Sequence, residues 1–407
     1  MSMQNRVSRV IVSGVIVGSS LSMVVSAEDS IQKAFKEGKV SGNLRAHYND
    51  WDYGVATDQS AFALGGLLKA ETGPLGWAKF GLGYYTAQDL DTNNSNPAKV
   101  DGRMGSELEV LGEAYVALSG ADTTLTLGRQ KINTPFANPG DAFIIPVLFE
   151  GTSVSNKSIS NLTLDASYLT TFKNRNSEEF VDVGSFNTGR FGVASQETSG
   201  TLILGASYKA DGLGLQAWYY QFADLFDSTY LQASYNFAGS DTIKPFVEAQ
   251  MGSQSDIGDK LLGAVDSTLW GIQGGVAIDK AKITLAYNTV DEETSAYKNG
   301  GFLAPYNFST SPIFTNNMLQ TLENGNAGDA TKLTFNYGFP NLKVKLSYAT
   351  FDFKNNVADR DEIDADLTYS MDHVTPGLSL RWRFALVTSD TKSVETTNNR
   401  FQAQYTF

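Results

Sequence analysis

The segment LSLRWRFAL (378–386) sets Arg381 and Arg383 two residues apart, alternating with Leu380, Trp382 and Phe384. Side chains two apart on a strand share a face. The two guanidinium groups would therefore stand together, opposite an apolar face. The pattern recurs in LKVKLSYATF (342–351), where Lys343 and Lys345 oppose Val344 and Leu346. It recurs again in SGNLRAHY (41–48), where Arg45 and His47 oppose Leu44 and Ala46. Lys332 stands opposite Leu333 and Phe335, and acids of the same polar parity are Glu113, Asp165, Glu248, Asp364 and Asp366. Fixed charges on one face, with no aligned set of nucleophile, base and orienter among them, do not break bonds. They attract, orient or exclude charged solutes.

Catalytic chemistry has little to stand on. The chain has two histidines, His47 and His373, far apart in sequence, and no cysteine. A G-x-S-x-G nucleophile elbow is absent, and so few imidazoles and thiols disfavour a transition-metal site. Acid-containing loops (Asp89, Asp91, Asp101 and Asp359, Asp361, Glu362) offer oxygen ligands for a structural Ca²⁺. No EF-hand spacing supports that, and solvated loop charge is the plainer reading. The net charge of −13 argues against a general nucleic-acid binder.

One loop stands out. Residues 134–150 hold Pro135, Pro139 and Pro146 and the run FIIPVLF, which is too apolar for a segment in water. Folded inward, this loop would narrow an enclosed space and bring Asp141 and Glu150 opposite the basic residues. Just before it, the parity of Leu125 and Leu127 sends Arg129 to the apolar face. A bulge at Gly128 would turn Arg129 inward, and otherwise Gln130 is the inward member. The expected constriction is then Arg381, Arg383, Arg129, Asp141 and Glu150, lined further by the other residues named above. A simple outer loop with an apolar cap is the plainer alternative.

The elements that position these residues are strands. Eighteen segments of period two run from 40–50 to 398–407 and end on NNRFQAQYTF, with Phe401, Ala403, Tyr405 and Phe407 on one face. Short turns (TGPLG, SGADT, ADGLG, AGSD, DKA, FPN) alternate with longer polar loops (88–108, 134–150, 174–200, 253–266, 292–329). That alternation, with aromatic residues at 12% of the 407, predicts an all-β fold: a transmembrane antiparallel β-barrel of about eighteen strands with an inward-folded constriction loop. A soluble β-sandwich would bury both apolar faces and would not need alternating loop lengths. Residues 1–27 read as a signal peptide, with Arg6 and Arg9 before an apolar run and a small-residue cleavage site at Val25-Ser26-Ala27. The barrel domain is then 28–407, opening with a short helix at 28–39. This places the protein in the outer membrane of a Gram-negative bacterium, with lipid, ions and small hydrophilic solutes as partners.

Two stretches carry a family resemblance. FKEGKVSGNLRAHY (35–48) resembles the opening of OprD-like (Opr-family) outer-membrane porins, and LTLGRQKINTPFANPGDAFIIPVLFEG (125–151) resembles their fifth strand and constriction loop. The overall plan is also close to that of Campylobacter-type major outer-membrane proteins. The resemblance implies eighteen strands and passive diffusion of small solutes, in some members amino acids and other carboxylates. It places Gly128-Arg129-Gln130 at the constriction. The family includes monomers and trimers, so a homotrimer stays open. The competing reading is a surface adhesin or receptor barrel that uses the long loops 174–200 and 292–329.

Overall fold

The computed structural model describes residues 27–140, 142–190, 192–240, 242–306, 312–325, 327–354, 357–390 and 395–407. The expected leader lies outside this set except for Ala27, and so does Asp141. A helix, α1 (Ala27–Lys36), precedes eighteen strands. The first nine are β1 (Lys39–Asp52), β2 (Gln59–Glu71), β3 (Ala78–Gln88), β4 (Leu108–Gly120), β5 (Thr123–Gln130), β6 (Leu148–Asn156), β7 (Leu162–Lys173), β8 (Thr201–Ala210) and β9 (Leu213–Phe222). The rest are β10 (Phe226–Asn236), β11 (Ile243–Asp256), β12 (Asp266–Ile278), β13 (Ala281–Val290), β14 (Gly328–Gly338), β15 (Leu342–Phe353), β16 (Arg360–Ser370), β17 (Leu378–Ser389) and β18 (Thr396–Thr406). A second helix, α2 (Val183–Arg190), lies between β7 and β8. The first helix is shorter than 28–39, because Lys39 already pairs with Glu71 in β1–β2.

Each strand pairs antiparallel with its neighbours in sequence, and β1 pairs with β18. The sheet is therefore a closed ring with no free edge. Leu44↔Tyr405, Ala46↔Ala403 and Tyr48↔Phe401 stand side by side on the outer face. The last pair is sealed by reciprocal 3.0 Å backbone bonds between Gly42 and Phe407. This accounts for the two-faced terminal strand: its partner is the first strand. Outward residues such as Leu68, Leu82, Leu285, Leu333 and Leu346 are exposed, while inward His47, Glu113 and Ser347 are buried.

Two irregularities adjust the parity. The register of β3–β4 shifts between Gly83 and Tyr84, which leaves Gly112 as an extra residue on β4. A Cβ on Gly112 would stand 2.3 Å from Leu148 Cδ1, so a side chain there would displace the start of β6. The β6–β7 register shifts between Glu150 and Gly151. By contrast, β4–β5 runs without a shift through Gly128 and Arg129. Gly128 instead takes φ = 111° inside a regular pair, where a Cβ would lie 2.3 Å from the Ala114 carbonyl oxygen. The bulge expected at Gly128 is absent, because glycine's own backbone freedom absorbs the distortion.

The loop after β5 crosses the lumen. Ile132, Phe136, Ala137 and Val147 pack with Tyr220, Tyr230 and Phe302, while Ile144, Ile145 and Leu148 pack with Ala63, Tyr85 and Val110. The FIIPVLF run is apolar because both sides of the loop are covered. A second stretch, in its described residues 301–306 and 312–325, also folds inward. Phe302, Leu303 and Tyr306 join the core of the first loop. Its backbone is held by inward polar side chains of several strands. Gln254 on β11 accepts from Leu303 N at 2.8 Å and donates to Leu303 O at 2.7 Å. Asn288 on β13 accepts from Thr315 N at 3.1 Å. On β16, Glu362 accepts from Leu319 N at 2.9 Å and Gln320 N at 2.7 Å, and Asp364 accepts from Met318 N at 3.0 Å. On β14, Lys332 donates to Asn316 O.

Replacing Glu362 by Ala strands two backbone N–H groups, at about 1–3 kcal/mol each. The barrel should still close, but the 301–325 segment should become cleavable by protease added to intact proteoliposomes. Protease resistance equal to wild type would mean that Glu362 does not hold the segment.

Candidate functional site

Strand alternation and register fix which charges meet. Lys345, Asp366, Arg383 and Arg400 stand opposite one another in turn across β15, β16, β17 and β18. One level nearer the short turns, Lys343, Thr368, Arg381 and Gln402 form the next row. Arg45 follows one level lower, opposite Gln404. Basic side chains therefore descend the inner wall as steps.

The upper steps open into a cavity of about 760 Å³. Among the described residues, seven arginines line it: Arg103, Arg175, Arg190, Arg360, Arg381, Arg383 and Arg400. No described aspartate or glutamate is on its lining. Trp51, Phe143, Phe186 and Tyr306 also line it, with Arg103 4.0 Å from the Trp51 ring centre and Arg175 4.8 Å from that of Phe143. The acids that hold these cations stand behind them. Asp366 takes two bonds from Arg381, Nε at 2.8 Å and Nη2 at 2.6 Å, and its Oδ2 is 3.3 Å from Arg383 Nε. One carboxylate thus serves two guanidinium groups, which keeps the wall in net positive excess. Asp101 is buried and binds Arg103 Nε at 2.5 Å, Asn49 at 2.6 Å and Trp51 Nε1 at 3.0 Å. Asn398 donates to Asn49 at 2.8 Å and accepts from Arg400 Nε at 2.6 Å. The chain Arg400–Asn398–Asn49–Asp101–Arg103 fixes two cations with one shared buried acid. In the loop after β7, burial and then the Arg190 charge push Arg175 down to about 10. It remains charged at neutral pH.

A second cavity, of about 910 Å³, lies towards the short turns. Asn133, Thr134, Pro135 and Asn138 line it, while Ala142 and Phe143 of the same loop line the upper cavity. The inward loop after β5 is thus the partition between two vestibules. Asp165 belongs to the lower one. Arg45 reaches the loop directly, donating Nη1 to the Phe143 carbonyl at 2.8 Å. It is a strut for the loop as well as a step on the wall.

Several expected residues stand elsewhere. Arg129 and Glu150 pair with each other at 3.0 Å, opposite one another on β5 and β6. Their neighbour Gln130 is buried and accepts from Ser153 at 2.6 Å on the inner face, so Arg129 and Glu150 occupy the outer face. Arg129 stacks 4.2 Å from the Phe180 ring and donates to Leu111 O at 3.2 Å. It ends up at the long-loop rim, satisfied by an ion pair and away from the barrel's mid-height. The expected acidic face on the loop therefore lacks Glu150, and Asp141 lies outside the described residues. Glu113 points inward but is consumed by Lys69 at 2.7 Å, by Tyr85 and by Lys131 at 3.7 Å. Glu248 accepts from Gln232 at 3.1 Å and Gln273 at 3.0 Å. Lys332, Asp364 and Glu362 hold the second inward segment. Asp101 and Glu362 are thereby committed, which removes them from the Ca²⁺ loops considered above. Lys343 and Lys345 are exposed on the inner face but do not line the upper cavity.

Sequence reasoning missed Arg400, although it shares the inward parity of Gln402 and Gln404 in NNRFQAQYTF. It also missed Arg103, Arg175 and Arg190, which come from loops or the last residue of α2, where alternation has no reach, and Arg360, the first residue of β16, which shares the inward parity of Glu362 and Asp364. The second inward segment had a usable signal: GFLAPYNFSTSPIF (301–314) is as apolar and proline-punctuated as the loop after β5.

The family model for "outer membrane porin, OprD family" matches residues 75–407. No curated protein matches. Among solved structures, Acinetobacter baumannii OccAB3 superposes with a TM-score of 0.77 at 19% identity, covering 92% of this chain and 100% of that one. Pseudomonas aeruginosa OccK9 (OpdG) gives 0.76 at 20%, covering 92% and 99%. Pseudomonas aeruginosa OpdK with vanillate gives 0.73 at 17%, again covering 92% and 99%. With an eighteen-stranded closed barrel and a family match over most of its length, this chain belongs to the OprD family of outer-membrane porins, channels of the Gram-negative outer membrane rather than enzymes.

Proposed function

We propose that this porin passes small solutes bearing a carboxylate, amino acids or other organic acids, in preference to neutral or cationic ones. The observation that carries this is the upper cavity: among the described residues, seven arginine side chains and no acid on its lining. Guanidinium groups bind carboxylates in a two-pronged geometry that a point charge does not offer. The steps from Arg400 and Arg383 through Arg381 to Arg45 give such a solute successive sites, each weak enough to leave. Trp51, Phe143, Phe186 and Tyr306 on the same lining add apolar surface for a hydrocarbon portion next to the carboxylate. The vanillate of the similar OpdK structure is a solute of that chemistry.

The surplus of acid over the whole chain would by itself bias the pore towards cations. Screening limits charges at the rims to about 8–10 Å at physiological salt, whereas a buried, low-dielectric arginine cluster acts on every ion that passes. The local charge should therefore outweigh the total. The adhesin reading loses support from the geometry of its own loops. Much of the described part of 301–325 is buried inside the barrel, and α2 packs inward, with Asn187 donating to Pro305 O at 3.2 Å.

Planar-bilayer recording in a KCl gradient tests the charge assignment. Replacing Arg383 and Arg400 by Ala should lower the chloride-to-potassium permeability ratio by about twofold or more. Replacing Arg129 and Glu150 by Ala should leave the ratio unchanged. If the first pair has no effect, the arginine cavity is not on the conduction path.

Deleting residues 137–147 removes the partition between the two cavities. Conductance should rise in a barrel that still inserts. An inserted barrel of unchanged conductance would place the narrowest point elsewhere.

A further inference from the structure

Closure sets two groups of arginines face to face. Arg360 is on β16, Arg381 and Arg383 are on β17, and Arg400 is on β18. Arg175 and Arg190 come instead from the stretch between β7 and β8, Arg190 as the last residue of α2. In a ring of eighteen strands, β7 and β16 are nine places apart, which is diametrically opposite. All six arginines nevertheless line the one upper cavity of about 760 Å³. Guanidinium groups therefore enter the same space from opposite walls.

The two sides are close enough to act on one another. The like charges of Arg190 and Arg103 act on Arg175, and that of Arg175 acts on Arg400. Each side is anchored from behind. On the wall, Arg400 donates to Asn398 at 2.6 Å and Arg383 lies 3.3 Å from Asp366. On the loop side, Arg175 lies 4.8 Å from the Phe143 ring centre and Arg190 lies 5.8 Å from that of Phe186. Among the described residues, Asp101 beside Arg103, Asp366 beside Arg381 and Arg383, Glu323 near Arg175 and Arg190, Asp364 near Arg400 and Glu362 on the same face of β16 as Arg360 supply five carboxylates. Seven guanidinium groups line the cavity, so two positive charges remain. Like charges across a low-dielectric space repel, and a lone carboxylate relieves only the side it sits on. Resting on the carboxylate reading above, we propose that the upper cavity is a two-sided clamp for solutes with a carboxylate at each end, one held by Arg383 and Arg400 and the other by Arg175 and Arg190. Once one end is held, the other meets its arginines at the high effective concentration set by a short tether. Retention then depends on the distance between the two carboxylates, and not on charge alone.

Chloride current through the full chain in a planar bilayer, with butyrate, malonate, succinate or adipate added at neutral pH, tests this. A solute that stays longer in the cavity interrupts the current at lower concentration. For wild type, the better of succinate and adipate should half-block at about tenfold lower concentration than butyrate. Malonate, with both carboxylates on one carbon, should lack most of that advantage. Arg175→Gln with Arg190→Gln should bring the longer dicarboxylates to the level of butyrate in the same variant, and so should Arg383→Gln with Arg400→Gln. The length series is read on wild type, so the test holds even where a variant fails to insert. Dicarboxylates no stronger than butyrate would overturn the proposal. Equal potency of malonate, succinate and adipate would overturn it as well, because charge alone gives that result. So would a dicarboxylate advantage that survives in the inserted Arg175→Gln, Arg190→Gln barrel. Each of those outcomes in a channel that still passes butyrate removes the clamp and leaves the carboxylate reading standing. A conducting channel closed to butyrate would remove both.

Discussion

Hydrocarbon offers no hydrogen bonds, so every strand must be paired on both edges. The β1–β18 pairing meets that condition, and most of the remaining architecture depends on it. Closure divides the side chains into an outer apolar set and an inner polar set, alternating along every strand. The inner set then has work available that a soluble sheet would not give it. Arg381 can stand at mid-wall because the lumen supplies water and Asp366 supplies charge. The outer set is left to lipid.

An eighteen-stranded barrel is too wide to be selective unless something fills it. Here two chain segments do so, and the polar strand residues hold them. Gln254, Asn288, Lys332, Glu362 and Asp364 all bind backbone groups of the 301–325 region, while Arg45 binds the Phe143 carbonyl of the loop after β5. Buried backbone N–H and C=O groups need partners wherever they lie, and the inner wall provides them. Apolar side chains of the two segments then pack on each other and on the wall: Phe136 meets Phe302 at 5.6 Å between ring centres, and Phe149 at the start of β6 meets Tyr306 at 5.1 Å. The space left open is bounded by arginines. Their paired acids sit behind the lining, as with Asp366 and Asp101, which orients the guanidinium groups without cancelling the field in the open space.

Much of this was legible in the sequence, because period two is a strong signal when each face meets a different solvent. The inward parity of Arg45, Arg381, Arg383, Lys343 and Lys345 follows from it. The inward fold of the loop after β5 follows from its apolar, proline-rich composition. Arg129 misled because two rules conflicted there. Parity sent it outward, the family motif suggested the constriction, and Gly128 invited a bulge. The outcome followed parity, with φ at Gly128 taking the strain and Glu150 neutralising the charge. Glu150 itself lies on a strand that begins at Leu148, within a stretch that reads as loop. Arg103, Arg175 and Arg190 were not legible, since residues outside the strands have no period of two and their meeting point is set by tertiary packing alone.

In the proposed selectivity, local cations and not the chain's net negative charge decide what passes. The zero-current potential of the wild-type channel in a gradient of the potassium salt of a small carboxylate tests it most directly. The expected potential has the sign set by the carboxylate, with an anion permeability greater than that of potassium. A potential set by potassium alone, in a channel of steady conductance, would contradict it.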